Sequence, residues 1–363
     1  MTIQSITTVV WSQYSHIYHC FTKNATLSRL FLSVSRNIGN INADIMIKIR
    51  KISFSLLVMV MFSVPSQLTA MPPQFLIVGT AGPTGVYYPV GNTICRTINK
   101  ERKMSANHAI HCHAAQSEGS LSNLNSLKAG EMDLALIQAD VLNGFYQNSN
   151  TQPSQLELRT LLRLYRESLA IVVRKDSGIN SVQQLIGKRV HLGREGSGQR
   201  YTMSKLLEVS GLQESDLLID EQVTQQQLAS ALCAKQLDAF AFMTGHPAAL
   251  LKQVSNECDT QILNIDRTTI ERLTNLSSVY QLFSIPAQMY QGNESIETVS
   301  VQALLVTTTG LDNAVVTHVI ENIMKNIKSV KLTHPALETF DNDLDGVIVP
   351  MHDVSKAFFA AKK

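Results

Sequence analysis

The residues of this sequence best suited to bind a ligand lie in short polar turns that follow apolar runs. Residues 75–78 (FLIV) suffice for one buried strand, and residues 79–85 (GTAGPTG) then place a glycine at every third position. From Val86 the apolar spacing predicts a helix. Free backbone N–H groups at the start of such a helix can bind an anion. A tight turn without a ligand is the structural alternative.

The spacing of these glycines argues against a nucleotide site. Gly79, Gly82 and Gly85 are three residues apart, unlike the Gly-x-Gly-x-x-Gly pattern of dinucleotide-binding turns. No Gly-Lys-Ser/Thr sequence follows, so the turn is not a Walker loop. We therefore predict no cofactor.

A second glycine-bearing turn, residues 194–200 (REGSGQR), contains Ser197 between two glycines. A hydrolase nucleophile turn needs Gly-x-Ser-x-Gly, but Glu195 and Gln199 occupy the flanking glycine positions. A Ser–His–Asp enzyme is therefore disfavoured. No close pair of carboxylates stands out at the predicted strand ends.

The histidines near Cys112 suggest a metal cluster, but their spacing does not support one. In a strand, His111 and His113 would share one face and Cys112 would lie on the other. His108 precedes them by three residues, and hydrogen-bonded or solvated histidines are the preferred interpretation. We predict no metal site.

Mostly neutral polar residues follow the predicted strands, where α/β sheets bind their ligands. They suit hydrogen bonding and helix N-termini better than acid–base catalysis. Tyr87 and Tyr88 would supply amphipathic walls, and Arg200 would either contact the ligand or be a helix-surface charge. The predicted ligand-binding residues are Thr80, Gly82, Thr84, Gly85, Val86, Tyr87, Tyr88, Gln116, Ser117, Gln138, Ser197, Gly198, Arg200, Thr244, Gly245 and His246.

Strands alternate with helices along the chain, which is typical of an α/β fold with parallel strands. Residues 132–138 are largely apolar, which predicts a central strand. Residues 174–178 (RKDSG) end a first α/β run, and a second follows. We predict two α/β lobes, with the chain crossing between them near residues 174–178 and 298–309. Other strands are predicted at 109–116, 158–165, 169–173, 188–193, 237–243, 260–265 and 300–308, with a strand end at Val223; the helices include 225–236 and 312–328.

The composition is that of a globular protein without a strong charge field. The chain of 363 residues has a formal net charge of +2 and a single Trp. Neither a basic surface nor aromatic–basic interleaving is indicated, so nucleic acid is not a predicted partner.

A targeting segment precedes the first strand. Residues 46–51 (MIKIRK) are basic, residues 52–64 are apolar but short for a membrane span, and residues 65–70 form a polar cleavage region. We predict a signal peptide over 46–70, with the mature chain starting at about Met71 in the periplasm. Residues 1–45 are predicted to be a non-structural upstream extension. An uncleaved membrane anchor is the alternative.

The cysteines agree with export. Cys20 precedes the signal peptide, and the mature chain keeps four, which allow three pairings in an oxidising compartment. Sequence proximity favours Cys95–Cys112 and Cys233–Cys258, each contributing about 2–4 kcal/mol. Four buried thiols are the alternative.

Several stretches jointly resemble the TAXI-type solute-binding subunits of TRAP transporters, over roughly residues 75–355. One probable disulfide per lobe is also typical of a subgroup of that family. This sequence departs from the family at Gln199-Arg200, at Ala139, and at Met351 and Asp353. The matching stretches are residues 79–91 (GTAGPTGVYYPVG), 117–130 (SEGSLSNLNSLKAG), 134–140 (LALIQAD), 185–197 (LIGKRVHLGREGS), 238–247 (DAFAFMTGHP) and 349–352 (VPMH).

The resemblance implies a periplasmic binding protein of type II, with a ligand cleft between two α/β lobes joined by hinge strands. Residues 71–174 and 306–363 would form lobe 1, and residues 175–305 would form lobe 2 with the return hinge strand. It implies capture of a small carboxylate or amino acid, of glutamate or 2-oxoglutarate type, for a sodium-driven TRAP membrane permease. Such a protein is not an enzyme.

Lobe closure would bury the solute between the glycine turns. We predict anion contacts from the backbone of residues 84–86 and 197–198, and hydrogen bonds from Gln138 and Thr244. An exported enzyme on a similar scaffold is one alternative. A binding protein that serves a sensor or another type of transporter is the other.

Overall fold

A computed structural model describes residues 74–104, 110–148, 157–290, 292, 294–339 and 344–361. The predicted upstream extension (1–45), the signal peptide (46–70) and Cys20 lie outside the described residues. So do the predicted mature start at Met71 and His108.

The first part of the chain forms three strand–helix units. As predicted, strand β3 is central, because it lies between β1 and β10 and all five of its residues are buried. Helix α2 ends at Gly130, whose φ of 72° is the left-handed conformation that glycine adopts readily. These elements are β1 (Gln74–Gly79), α1 (Tyr87–Met104), β2 (Ile110–Ala115), α2 (Ser120–Ala129), β3 (Leu134–Gln138) and α3 (Ala139–Asn148).

One long strand, β4 (Leu158–Arg174), leads from this part to the next. Its first section pairs with β10 as far as Ser168, and residues from Ser168 onward pair with β7. The prediction of two separate strands at 158–165 and 169–173 is therefore wrong. Arg166, Glu167 and Ser168 continue the strand because their backbone groups remain paired on both sides of the change of partner.

The second part of the chain repeats the alternation with shorter elements. Strand β7 is parallel to β5 and antiparallel to β4, and all six of its residues are buried. A short 3₁₀ turn, Val182–Leu185, precedes β5. The elements are β5 (Arg189–His191), α4 (Gly198–Val209), β6 (Leu218–Ile219), α5 (Leu228–Cys233), β7 (Ala239–Thr244), α6 (Ala249–Glu257) and β8 (Thr260–Ile262).

The last part of the chain packs back onto the first part through strand β10. Strand β10 pairs with β9 through its first residues and with β3 and β4 through the rest. Asp312 caps α8 by accepting a hydrogen bond from the Ala314 N–H. The elements are α7 (Arg267–Leu276), β9 (Gln281–Ile285), β10 (Ile296–Thr308), α8 (Asn313–Lys325), α9 (Ile327–Lys331) and α10 (Asp353–Ala360).

Ten strands form one mixed sheet with the path β2-β1-β3-β10-β4-β7-β5-β6; β8 pairs with β4, and β9 pairs with β10. We call β1–β3 with α1–α3 the first half and β5–β8 with α4–α6 the second half; β4 and β10 connect them. Apolar clusters pack around the sheet, with Leu76, Leu136 and Ile320 in one and Leu206, Ala241 and Leu273 in another. The α/β prediction is confirmed.

Each half contains one disulfide, as sequence proximity favoured. Cys95–Cys112 joins α1 to β2, and Cys233–Cys258 joins the end of α5 to the end of α6. Closing loops of this size stabilises a fold by about 2–4 kcal/mol.

Several predicted elements differ from the observed ones. Val223 ends no strand, because it lies in a turn that the Asp220 carboxylate holds through the Gln222 and Val223 N–H groups. The helix predicted over 225–236 is a 3₁₀ turn, Gln225–Gln227, followed by α5. The single helix predicted over 312–328 divides into α8 and α9 at Asn326.

Candidate functional site

A cavity of about 350 Å³ lies between the two halves, where the carboxyl ends of their parallel strands meet. The turns after β1 and β2 and the last residue of β3 line it from the first half. The turn after β5 and the last residues of β7 line it from the second half. This is where α/β sheets bind ligands, and the volume suits a small molecule.

The first glycine turn forms one wall of the cavity. The Gly85 N–H donates to the Gly82 carbonyl oxygen at 3.2 Å, and α1 begins two residues later at Tyr87. Gly82 faces the second half, where a Cβ on it would lie 3.4 Å from Gln225 Oε1. The N-terminus of α1 therefore lies at the cavity, as the anion-binding hypothesis requires.

The second glycine turn is held by its own side chains and by the first half. Ser197 caps α4: its Oγ accepts from the Arg200 N–H at 3.1 Å and donates to the Arg194 carbonyl oxygen at 2.6 Å. The Gly196 carbonyl oxygen accepts from the N–H groups of Leu121 and Ser122, both at 3.0 Å. The first turn of α2 thus binds the opposite half of the protein.

A buried polar chain also connects the halves. Gln138 Nε2 donates to Thr202 Oγ1 at 3.1 Å, and Thr202 Oγ1 donates to Asp140 Oδ2 at 2.6 Å. Burial raises the pKa of Asp140 to about 6, although the Thr202 hydrogen bond opposes the shift.

Gly198 permits the closest approach of the two halves. A Cβ at this position would overlap Gln138 Oε1 and would lie 2.7 Å from Ser120 Oγ. Any larger residue would push the second glycine turn away from β3 and α2.

Glu167 reaches the cavity from the middle of β4 and is only 5% exposed. Tyr165 donates its hydroxyl proton to Glu167 Oε1 at 2.7 Å, and Tyr87 donates to Oε2 at 3.2 Å. Burial raises the pKa of Glu167 to about 8, and the charge of Asp140 adds to the effect. We call Tyr87, Tyr165 and Glu167 the buried cluster.

A second glutamate of the cavity has a different environment. Glu118 Oε2 pairs with Arg194 Nε at 2.7 Å, and their side chains are 42% and 61% exposed. Glu118 follows β2 and Arg194 follows β5, so the ion pair joins the two halves. We call Glu118 and Arg194 the rim pair.

Most of the residues predicted to bind a ligand surround this cavity. The turns that carry them are distant in sequence and meet because both halves direct the carboxyl ends of their strands to the same place. The lining includes Gly82, Gly85, Val86, Tyr87, Gln116, Ser117, Gln138, Ser197, Gly198 and Thr244.

Three other predicted residues are near the first turn or the second but do not line the cavity. Thr80 is fully buried; its hydroxyl donates to the Ala115 carbonyl oxygen, and its methyl group packs against Gly91. Thr84 is exposed. Arg200 pairs with Glu214 at 2.8 Å and with Glu221, which fits its alternative interpretation as a helix-surface charge.

The remaining three also lie off the cavity. Tyr88 is half-buried on α1, beside Tyr87. Gly245 packs against Tyr165 and Ala336. His246 Nδ1 lies 2.7 Å from the Tyr290 hydroxyl, and burial lowers the pKa of this histidine to about 4.

Several residues that line the cavity were not predicted from the sequence. Glu167 lies in the polar interval between two predicted strands, and Glu118 lies in the turn between β2 and α2. Gln199 positions the end of β7: its Nε2 donates to the Ala241 carbonyl oxygen and its Oε1 accepts from the Met243 N–H. The only sequence feature that pointed to Gln199 was its position two residues after Ser197.

No group of three or more His, Cys, Asp or Glu residues among the described residues could hold a metal ion. Within the same residues, no helix is both long enough and apolar enough to cross a membrane.

Several solved structures are similar to this chain. XAC2383 from Xanthomonas citri, bound to ATP, is 14% identical, with coverage of 80% of this chain and 98% of that chain and a TM-score of 0.48. The periplasmic aliphatic sulphonate binding protein SsuA from Escherichia coli is 14% identical, with 80% and 88% coverage and a TM-score of 0.44. The amino acid ABC transporter substrate-binding protein AbpA from Streptococcus pneumoniae, bound to L-arginine, is 15% identical, with 73% and 93% coverage and a TM-score of 0.41.

At these TM-scores the similarities assign neither a ligand nor a partner to this chain. The family is shown by the sequence instead, because residues 78–361 match the NMT1-like family, from the end of β1 to the end of α10. The chain therefore belongs to the NMT1-like family.

Proposed function

We propose that this chain is an exported solute-binding protein. It captures a small carboxylate or amino acid, of glutamate or 2-oxoglutarate type, and delivers it to a TRAP-type secondary membrane transporter. The observation that carries the proposal is the cavity between the two halves. Its lining residues are mostly neutral and include glutamine, serine and threonine side chains, and the N-terminal ends of α1 and α4 reach it.

Three further observations support the proposal. The rim pair, the Gly196 contacts and the Gln138–Thr202 bond all join the halves around the cavity, as lobe closure on a solute requires. The two disulfides are typical of an oxidising compartment, which agrees with the periplasm. SsuA is named a periplasmic binding protein and AbpA a substrate-binding protein.

The TRAP partner rests on the resemblance of the glycine turns to TAXI-type subunits. Service to another type of transporter is the alternative. Uptake into membrane vesicles prepared from the source organism, with this protein added, separates the two. We expect uptake to require a sodium gradient; a requirement for ATP without sodium would contradict the TRAP assignment.

The first test of the proposed function is to identify the ligand. Native mass spectrometry of protein purified from the periplasm should show a bound small molecule, which is then released and identified. Incubation with excess protein should return that molecule chemically unchanged, whereas an enzyme would convert it. Absence of both a bound molecule and any binding in a solute panel would overturn the proposed function.

Two variants test the site. Gln138→Ala and Ser197→Ala should each weaken binding of the released solute by about tenfold, because each removes a polar group of the cavity and a contact of the second turn. Gln253→Ala and Ser255→Ala on the surface helix α6 are matched controls and should leave affinity unchanged. If both cavity variants bind as the controls do, the site is misplaced.

A further inference from the structure

We propose that Glu167 receives a positively charged amino group of the ligand, so that the cavity prefers an amine-bearing acid, such as an α-amino acid, over the 2-oxo acid with the same carbon skeleton. This inference rests on the proposed function and narrows its ligand class. It concerns a residue that no turn motif contains, in the middle of strand β4.

First, the carboxyl group of Glu167 is placed so that it can contact a ligand in the cavity. Glu167 lines the cavity but is 5% exposed, so water reaches it only through the space that a ligand would occupy. Its two oxygens each accept one phenolic hydrogen bond, from Tyr165 and Tyr87. A carboxylate has about four acceptor positions, so capacity remains for a donor from the cavity.

The second step is the balance of charge around the cavity. Among its described lining residues, Arg194 carries the only guanidinium or ammonium group, and Glu118 already pairs with it. His191 lines the cavity too, but burial lowers its pKa and its Nδ1 lies 3.0 Å from the Asp220 carbonyl oxygen. The lining therefore offers Glu167 no cation, and a ligand with an ammonium group would supply one.

The third step concerns the groups packed against Glu167. Tyr87 on α1 and Tyr165 on β4 donate neutral hydrogen bonds, Ser120 on α2 lies 3.5 Å from the Tyr87 hydroxyl, and Asp140 on α3 adds negative charge. Burial and the charge of Asp140 raise the Glu167 pKa to about 8 and outweigh the two tyrosine hydrogen bonds, which lower it, so Glu167 is a carboxylic acid at neutral pH in the empty cavity. An ammonium ligand reverses this: the Glu167 O–H bond breaks, the proton passes to buffer, and the carboxylate pairs with the ligand cation.

Glu167 would therefore allow the cavity to distinguish an amino acid from the corresponding 2-oxo acid, which an anion-binding turn by itself could not do. An amino acid could place its carboxylate at the α1 N-terminus and its ammonium group at Glu167. A 2-oxo acid would place a carbonyl dipole where the charge is needed, and it could accept at most one hydrogen bond from protonated Glu167.

Isothermal titration calorimetry at pH 7 tests the proposal on the wild-type protein. The probes are matched pairs: L-glutamate and 2-oxoglutarate, L-leucine and 4-methyl-2-oxopentanoate, and L-alanine and pyruvate. In the pair that binds, the amino acid should bind at least about tenfold more tightly, as expected for a charged hydrogen bond. Titrations in buffers of different ionisation enthalpy should show release of nearly one proton per amino acid bound and none for the oxo acid.

Two variants test whether Glu167 itself causes the preference for the amino acid. Glu167→Gln keeps the shape and the acceptor oxygen but cannot become charged, so it should lose about tenfold or more in amino acid affinity and all of the proton release. Its affinity for the oxo acid should stay within about threefold. Glu118→Gln, the matched glutamate of the rim pair, should preserve the preference and the proton release.

The outcomes distinguish the two proposals. Equal affinity within the binding pair, or an equal loss for both members in Glu167→Gln, overturns the role of Glu167 while the solute-binding function stands. A natural ligand without an amino group has the same effect. If no probe binds and no small molecule is released from protein purified from the periplasm, the solute-binding function fails as well. Circular dichroism and melting temperature verify that each variant is folded.

Discussion

The buried cluster and the rim pair place the same residue type, glutamate, in opposite environments of one cavity. Glu167 is 5% exposed and receives only phenolic hydrogen bonds, whereas the Glu118 side chain is 42% exposed and pairs with Arg194. Burial without a cation raises the Glu167 pKa to about 8, while Glu118 has water and a guanidinium to stabilise its charge.

This difference separates two tasks. A group that is buried without a partner cation can discriminate between ligands, because only the ligand can supply the missing charge. An exposed ion pair between the halves can favour closure but discriminates little, because water and salt screen it. We therefore expect changes in the buried cluster to alter ligand preference and stability more than changes in the rim pair do.

The largest expected effect is the pH dependence of stability. Glu167 has a pKa of about 8 when folded, against an ordinary value of 4.5, so the folded protein binds the proton more tightly. Its contribution is fully present below pH 4.5 and is lost as pH rises towards 8. The free energy of unfolding of the empty protein should therefore fall by up to about 1.4 kcal/mol per pH unit in this window.

Denaturant titrations from pH 4 to 9, with disulfides intact, measure this slope. In Glu167→Gln the Glu167 contribution should disappear, while the contribution of Asp140, lost as pH rises towards about 6, and that of His246, gained as pH rises above about 4, should remain. The difference in the free energy of unfolding between the wild type and Glu167→Gln therefore isolates Glu167. A difference that is constant or rises between pH 5 and 8 would show that Glu167 is ionised in the folded protein.

The next effect concerns closure. Gly198→Ala should weaken ligand binding by about 5- to 150-fold, because an overpacked contact between the halves costs about 1–3 kcal/mol. The radius of gyration with ligand, measured by small-angle X-ray scattering, should stay close to that of the empty protein.

Gly82→Ala is the matched control on the other glycine turn. Its new Cβ would make an ordinary 3.4 Å contact with Gln225 Oε1, so affinity should change by less than about threefold. Similar losses in both variants would mean that the two turns share one role.

A smaller effect is expected from Tyr165→Phe. Loss of the 2.7 Å hydrogen bond to Glu167 Oε1 should lower the free energy of unfolding at pH 7 by about 0.5–1.5 kcal/mol. Tyr87→Phe removes the longer 3.2 Å bond and should cost less. The reverse order, measured by urea denaturation, would make Tyr87 the principal donor.

The smallest effect is expected at the rim pair. Arg194→Ala should lower the free energy of closure by less than about 1 kcal/mol, because both partners are exposed. Affinity in 50 mM and 500 mM salt measures the pair, and the variant should remove most of the salt dependence. A loss comparable to that of Gly198→Ala would mean that Arg194 contacts the ligand directly.

The elements with local signals were predictable from the sequence. Four consecutive apolar residues, 134–137, predicted the central strand Leu134–Gln138, and sequence proximity predicted both cysteine pairs. The glycine turns that line the cavity were predicted because glycine, serine and threonine follow apolar runs.

Strand β4 shows where local signals fail. Arg166, Glu167 and Ser168 are polar, and local propensity places a break there, yet the backbone pairs with β10 and β7 without interruption. The partners of Arg200 were not predictable for a related reason, since Glu214 and Glu221 lie on later segments whose position depends on folding.

The sequence by itself determined the α/β alternation, the turns and the two short disulfide loops, because each depends on residues close in the chain. Only the tertiary structure decided which polar residues face the cavity. It buried Glu167 between Tyr87 and Tyr165, and it exposed Glu118 beside Arg194. The physical reason is that the pKa and the available partners of a carboxyl group depend on solvent and on distant segments, which composition and spacing do not contain.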